Sequence, residues 1–125
     1  MRSDMRVLLI EDDDAVRVAV ADVLTDQGVV VDAVSNAEDA LVLLGSGQVC
    51  DVLVTDINLG AGLDGLALAD SVRSRYPEIA VVFVSGRPVA PDEISPRDRF
   101  LAKPFTPPQL VAAIEQLAPR PLEAS

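Results

Sequence analysis

The segment LLIEDDD, residues 8–14, joins an apolar run directly to four consecutive acidic residues. With Arg6 and Val7 in front of it, the run RVLLI (residues 6–10) has the length and apolar character of a buried β-strand. Neighbouring carboxylates repel each other by about 3 kcal/mol per pair at roughly 5 Å and an effective dielectric near 20. This repulsion must be offset, and the candidates are solvent, the start of a helix and a bound cation.

The composition limits the classes of protein to which the chain can belong. Its 125 residues, 50% of them apolar, predict one globular domain with a sizeable core, which must be aliphatic because aromatic residues make up 3%. The net charge of −10 argues against binding to nucleic acid or to anionic membranes, and it favours a cation or a basic partner. The lack of histidine excludes histidine acid–base chemistry and most zinc sites.

The single cysteine and the chain ends lead to expectations about compartment and boundaries. Cys50 excludes an internal disulfide, and we expect it to be a buried, inert thiol. The N-terminal apolar run is too short for a signal peptide, and no stretch reaches the roughly 20 apolar residues of a membrane span. We therefore expect a soluble cytoplasmic protein, with one domain over residues 1–118 and a flexible tail over 119–125.

Strand-like and helix-like segments alternate along the chain. Short apolar runs predict strands at 6–10, 29–34, 51–56, 79–86 and 100–103. Helical spacing of apolar residues predicts helices within 13–28, 36–47, 65–76 and 106–118, with Asp13 or Asp14, Asn36 and Thr106 as N-caps. Because continuous apolar strands joined by helices form parallel sheets, we expect an α/β domain whose sheet is covered on both faces.

Polar residues follow four of the five predicted strands. Glu11 and Asp12 end the first strand, Asp56 the third, Ser85 the fourth and Lys103 the fifth. Since ligands of open parallel sheets bind beyond the carboxyl ends of the strands, these side chains are expected to converge at one edge.

Each of these residues also has a purely structural interpretation. Asp12 to Asp14 would favour the positive end of a helix, Asp56 would start a loop, Ser85 would sit in a turn, and Lys103 would be an ordinary surface lysine. Independent capping does not explain why all of them fall at the same edge. A common binding site does explain it. In that site Glu11 and Asp12 would bind a cation, while Asp13 and Asp14 belong to the following helix.

The chemistry of the set points to phosphoryl transfer. Carboxylate oxygens suit Mg²⁺, which usually takes one or two carboxylates together with water and phosphate oxygens. A further carboxylate can attack phosphorus and form an aspartyl phosphate. A lysine and a hydroxyl then neutralise and hydrogen-bond the phosphoryl oxygens.

Four segments, LLIEDD, DVLVTDINL with the later LDG, VVFVSG and FLAKPF, resemble in this order and spacing a response-regulator receiver domain of bacterial two-component signalling, of the chemotaxis-type single-domain kind. The resemblance implies a flavodoxin-like, doubly wound, five-stranded parallel sheet of order 2-1-3-4-5. It also implies a signalling module that is not an enzyme and that catalyses only its own phosphorylation and dephosphorylation. It implies a histidine kinase or histidine phosphotransfer protein as phosphodonor and an unknown downstream protein as target. The net charge of −10 leads us to expect no direct contact with nucleic acid or membrane.

The resemblance also implies a role for each site residue. Asp56 would accept the phosphoryl group, with Ser85 and Lys103 binding its oxygens. Mg²⁺ would be held directly by Asp12, with Glu11 assisting through water, and also by Asp56 and the backbone carbonyl of Asn58. The switch would be formed by Ser85 and Phe100, phosphoryl lifetime would be tuned by Asn58 and Arg87, and the Lys103–Pro104 peptide bond would be cis.

Two departures from the family pattern concern loops. The segment NLGAGLDG lacks the usual proline and is one residue longer. The stretch from Ser85 to Lys103 is shorter by about four residues, one helical turn, and it is rich in proline. This predicts a shortened or irregular fourth helix, with at most a turn or so near 91–95, and phosphorylation is then expected to order residues 86–99.

Three other functions compete with this hypothesis. A haloacid-dehalogenase-type phosphohydrolase also uses a strand-end aspartate, but it usually has a second aspartate two positions later, where this chain has Asn58. A flavin-binding flavodoxin-like protein fits poorly with so few aromatics. A pseudo-receiver would bind partners without being phosphorylated.

Overall fold

The computed structural model describes residues 5–58, 64–86 and 94–117. It contains the strands β1 (Arg6–Ile10), β2 (Val30–Val34), β3 (Val52–Asp56), β4 (Ala80–Ser85) and β5 (Arg99–Ala102). The helices are α1 (Asp14–Asp26), α2 (Ala37–Gly45), α3 (Gly65–Arg75) and α4 (Pro107–Leu117). The predicted element boundaries agree with these bounds to within about two residues.

The five strands form one parallel sheet of order β2-β1-β3-β4-β5, which confirms the predicted fold class. All residues of β3 and β4 are buried, whereas β2 and β5 form the partly exposed edges. The strand order reverses between β1 and β3, where such sheets form a crevice for ligands.

Alternate residues of the strands supply two apolar clusters, one on each face of the sheet. Leu8, Leu53 and Val81 pack on the face covered by α2 and α3. Their neighbours Val7, Val54 and Val82 pack on the opposite face, under α1 and α4. This period of two is the geometry of a strand, and it explains why both faces of these strands read as apolar in the sequence.

The helix ends use the caps that the sequence predicts. The Asp13 side chain accepts a hydrogen bond from the Val16 amide, and the Asn36 side chain accepts one from the Asp39 amide. At α4, the Thr106 hydroxyl accepts from the Gln109 amide, while the Gln109 side chain accepts in return from the Thr106 amide. These reciprocal bonds form a capping box.

The connection from β4 to β5 is described only in part. Residues 87–93, which hold most of the predicted short helix, lie outside the described residues, and so does the predicted tail. Residues 94–98 contain turns and no helix. Ile94 packs on the α2–α3 cluster and Asp98 is buried, so the part of this connection next to β5 is already anchored to the domain.

Candidate functional site

Asp56, the last residue of β3, is a buried carboxylate with partners on both oxygens. Its Oδ2 lies 2.6 Å from Lys103 Nζ. Its Oδ1 accepts a hydrogen bond of 3.0 Å from the backbone amide of Asn58. Asp56 is only 9% exposed, and a buried carboxylate of this kind needs such partners because water cannot solvate it.

Glu11 follows β1 and is the one buried member of the acidic run. Its amide donates to the Val34 carbonyl at 3.1 Å, and its Oε2 accepts from the Asp13 amide at 3.1 Å. Its Oε1 lies 3.8 Å from Lys103 Nζ. Burial raises the pKa of Glu11, and the nearby charge of Asp56 adds to this rise although Lys103 opposes it.

Lys103 joins these two carboxylates from the end of β5. Its amide donates to the Ser85 carbonyl at 2.9 Å, which ties the ends of β4 and β5 together. Burial alone would lower the pKa of Lys103, but the hydrogen bond and charge of Asp56, with smaller contributions from Glu11 and Asp12, raise it above its usual value. The Lys103–Pro104 peptide bond is cis.

The remaining predicted residues lie at the same edge of the sheet, except one that is not described. Ser85 is buried at the end of β4, while Asp12 and Asn58 are exposed. Phe100 is half-buried on β5 and packs on the α2–α3 cluster. Arg87 lies outside the described residues.

The four acidic residues 11–14 lie in four different environments. Glu11 is buried beside Lys103, Asp13 caps α1, and Asp14 pairs with Arg17 at 2.6 Å. Asp12 stays exposed to solvent. The repulsion within the run is therefore reduced by solvent, by the helix start and by an ammonium group together.

Two residues that position the site had no predicted role. Gly65 opens α3 against the end of β3, where its amide donates to the Ile57 carbonyl at 2.7 Å. A Cβ at this position would collide with the backbone of Asp56 and Ile57, so glycine is required there. Its signal in the sequence is a glycine directly after the capping Asp64. Arg17, the other residue, donates to the Glu11 carbonyl.

The donor set fits a magnesium ion that keeps ligands from other sources. Within residues 5–58, 64–86 and 94–117, no three His, Cys, Asp or Glu side chains are arranged to hold a metal ion by themselves. A site of carboxylate oxygens that leaves positions for water and phosphate oxygens is the arrangement that Mg²⁺ prefers. Tetrahedral zinc ligation by nitrogen and sulfur does not fit these residues.

The sheet order, the buried strand-end aspartate and its lysine partner define a flavodoxin-like α/β domain with a polar site at the carboxyl edge of the sheet. The chain belongs to the response regulator receiver domain family, whose model it matches over residues 7–115.

Individual relatives agree with this assignment. The chain is 33% identical over 118 residues to the sensor kinase CckA of Brucella abortus (strain 2308), an alignment that covers 89% of this chain and 12% of the kinase. It is 34% identical to a response regulator receiver protein from Sinorhizobium medicae WSM419, with a TM-score of 0.85 over 91% of this chain and 94% of that one. The response regulator TrrA from Thermotoga maritima, solved in complex with Mg²⁺-BeF, shares the fold with 21% identity and a TM-score of 0.77, over 90% and 98% of the two chains.

The family assignment carries some general properties. Receiver domains are generally non-enzymatic signalling domains that bind Mg²⁺ at the phosphorylation site and interact with histidine kinases. The chain spans between 12% and 25% of the length of the curated relatives it matches. None of the helices in the described residues has the length and apolar character needed to cross a membrane.

Proposed function

We propose that Asp56 accepts a phosphoryl group from a histidine kinase or a histidine phosphotransfer protein in a Mg²⁺-dependent reaction, and that the phosphorylated domain acts on a downstream protein. The observation that carries this proposal is the 2.6 Å contact between Lys103 Nζ and the buried Asp56 carboxylate. A strand-end carboxylate with its own ammonium partner has both a nucleophile and a charge ready for the phosphoryl oxygens.

In the proposed reaction, a carboxylate oxygen of Asp56 attacks the phosphorus of a phosphohistidine. The new O–P bond forms as the P–N bond breaks, and the electron pair leaves with the imidazole nitrogen, which takes a proton from solvent. Lys103 neutralises charge on the transferred oxygens, and the Ser85 hydroxyl donates a hydrogen bond to one of them. The Asn58 amide, already bonded to Oδ1, holds the carboxylate plane.

Mg²⁺ would be held by the carboxylates of Glu11, Asp12 and Asp56 and by the Asn58 carbonyl. When bound, it supplies positive charge to the phosphoryl oxygens. The chain keeps these oxygen donors at the ends of the neighbouring strands β1 and β3. Glu11 is held through its amide and through both of its carboxylate oxygens.

The remaining roles are those that the resemblance to the family implies. Ser85 and Phe100 lie on the adjacent strands β4 and β5, and Phe100 is in register with Phe83. Movement of Ser85 toward the phosphoryl group can therefore change the position of the Phe100 ring. We assign the switch to this pair, and the tuning of phosphoryl lifetime to Asn58 and Arg87. The domain is proposed to catalyse only its own phosphorylation and dephosphorylation.

Intact-mass spectrometry after incubation with acetyl phosphate and MgCl₂ tests the proposal. Wild type is expected to gain one phosphoryl group, and Asp56→Asn none. Asp39→Asn, which neutralises an exposed aspartate on α2, is the matched control and should label like wild type. An unlabelled wild type, which is the behaviour of a pseudo-receiver, or equal labelling of Asp56→Asn, would refute the proposal.

A further inference from the structure

Arg17 makes an unusual contact with the turn that carries the acidic residues. It lies in the first turn of α1, and its Nη1 donates to the backbone carbonyl of Glu11 at 2.9 Å. Its Nη2 lies 2.6 Å from Asp14 Oδ1. The guanidinium thus bridges the residue after β1 and the first residue of α1, and the Arg17 side chain is only 21% exposed.

The two contacts of Arg17 differ in strength. The Asp14 side chain is 86% exposed, and an ion pair in that setting contributes little because water screens it. The Glu11 carbonyl lies at the end of β1, after the last residue paired with β2. A charged donor on this carbonyl is the stronger contact, and it acts directly on the residue that holds the buried carboxylate.

Glu11 is consequently fixed on every side that the structure describes. Its amide is bonded to β2, its carbonyl to Arg17, one carboxylate oxygen to the Asp13 amide, and the other faces Lys103. If the carbonyl contact is removed, the peptide between Glu11 and Asp12 loses the hydrogen bond that Arg17 gives it, and the relative orientation of the two acidic side chains is less constrained.

We propose that Arg17 is a positioning residue for the metal site, acting through the Glu11 carbonyl on the placement of Glu11 and Asp12. This inference rests on the proposed function, since it assumes that these carboxylates bind Mg²⁺. Arg17 is also the only basic residue between Val7 and Asn58 in the sequence. A positive charge near a cation site ordinarily weakens cation binding. The role of Arg17 can therefore be tested by the direction in which the Mg²⁺ affinity changes when this charge is removed.

Positioning and simple charge lead to opposite expectations. If Arg17 acted on the site only through its charge, Arg17→Gln would remove a repulsion and tighten Mg²⁺ binding. If it positions the turn, the same substitution should raise the dissociation constant for Mg²⁺ by about tenfold, the lower end of the range seen when outer partners of metal ligands are removed. Arg17→Lys should lie between, because an ammonium can still donate to the carbonyl but lacks the planar pair of nitrogens.

Isothermal titration calorimetry with MgCl₂ on the full chain makes this comparison, and thermal melts in EDTA check that each variant folds. Arg75→Gln, an exposed arginine at the far end of α3, is the matched control and should bind Mg²⁺ like wild type.

The proposal is overturned if Arg17→Gln, or Arg17→Lys should the first variant not fold, binds Mg²⁺ as tightly as wild type or more tightly. A wild type that binds Mg²⁺ but takes no phosphoryl group refutes the proposed function alone, and the calorimetric comparison still decides the role of Arg17. A wild type that binds no Mg²⁺ overturns both.

Discussion

At the scale of single residues, four adjacent acids turn out to have four different surroundings. The repulsion calculated for them at an intermediate dielectric applies only where the side chains leave water, and Glu11 is the one that does. Asp12, Asp13 and Asp14 remain exposed, where a pair of charges at 4 Å interacts by about 1 kcal/mol. The cost of the run is therefore concentrated at Glu11, beside the ammonium of Lys103.

Asp12→Asn should separate metal binding from stability. We expect the variant to lose at least about tenfold in Mg²⁺ affinity while gaining less than about 1 kcal/mol in EDTA, because an exposed charge is well screened. Asp13→Asn is the control, since asparagine is an equally good N-cap. Calorimetry and thermal melts with EDTA or MgCl₂ make the comparison. Melting of Asp12→Asn below wild type in EDTA would reveal a structural role for Asp12.

Cys50 is half-buried and not fully buried as predicted, but it should still be almost unreactive in the folded protein. Burial raises the pKa of its thiol to about 12 from 9.0, so the thiolate at pH 8 is rarer than in the unfolded chain by about a thousandfold. Iodoacetamide should therefore label native protein far more slowly than protein in urea, and equal rates would contradict this. Because the pKa is raised on folding, the contribution of the thiol to stability is complete below pH 9.0 and is lost as the pH rises toward about 12.

At the scale of elements, the first residue of α3 packs directly against the end of β3. Gly65 touches the backbone of Asp56 and Ile57 so closely that a methyl group has no room. The helix could accept an alanine there only by moving away from the strand that carries Asp56. This close approach, rather than backbone flexibility, is the reason for the glycine.

The two helical glycines should respond to alanine with opposite signs. Gly65→Ala is expected to destabilise the protein by about 1–3 kcal/mol, because the colliding atoms belong to backbone. Gly45→Ala, at the end of α2 where nothing lies within 4 Å of the new methyl group, should stabilise it by about 0.4–1 kcal/mol. Urea unfolding measures both. A Gly65→Ala variant as stable as wild type would show that α3 can shift without cost.

At the scale of the whole molecule, a buried ion pair connects parts of the chain that are distant in sequence. Arg73 Nη2 on α3 lies 2.6 Å from Asp98 Oδ1, whose side chain is 1% exposed. The same oxygen accepts from the Val81 amide of β4 at 3.2 Å. The pair thus fastens α3, β4 and the segment before β5 together at the edge of the sheet opposite the acidic site.

Removing the arginine should cost far more than removing a nearby one. Arg73→Met leaves the buried Asp98 carboxylate without its counter-ion, and we expect a loss of about 3 kcal/mol. Arg75→Met, on an exposed position of the same helix, should change stability by less than about 0.5 kcal/mol. Denaturant unfolding at neutral pH compares them. Similar stabilities for the two variants would mean that water reaches Asp98.

The packing of Ile94 and Asp98 limits which residues of the connection between β4 and β5 can become ordered on phosphorylation. The prediction that residues 86–99 become ordered as one unit does not suit 94–99, since Ile94 and Asp98 are already packed. The proline content of this connection predicted an irregular segment but could not show that Asp98 is anchored, because the anchoring depends on Arg73, 25 residues away.

The sequence by itself determined the elements, the parallel sheet, the strand-end placement of Glu11, Asp56, Ser85 and Lys103, and the N-caps of α2 and α4. These follow from local periodicity and from the rule that parallel strands end at one edge, neither of which needs distances between remote residues. Tertiary structure decided which acid is buried, the contact of Lys103 with Asp56, the hold of Arg17 on Glu11, the close approach at Gly65 and the pairing of Arg73 with Asp98. Each of these depends on which side chains and backbone atoms the packed elements bring to within a few ångströms of each other. The apolar pattern predicts only the face or the edge of the sheet on which a residue lies, and not these distances.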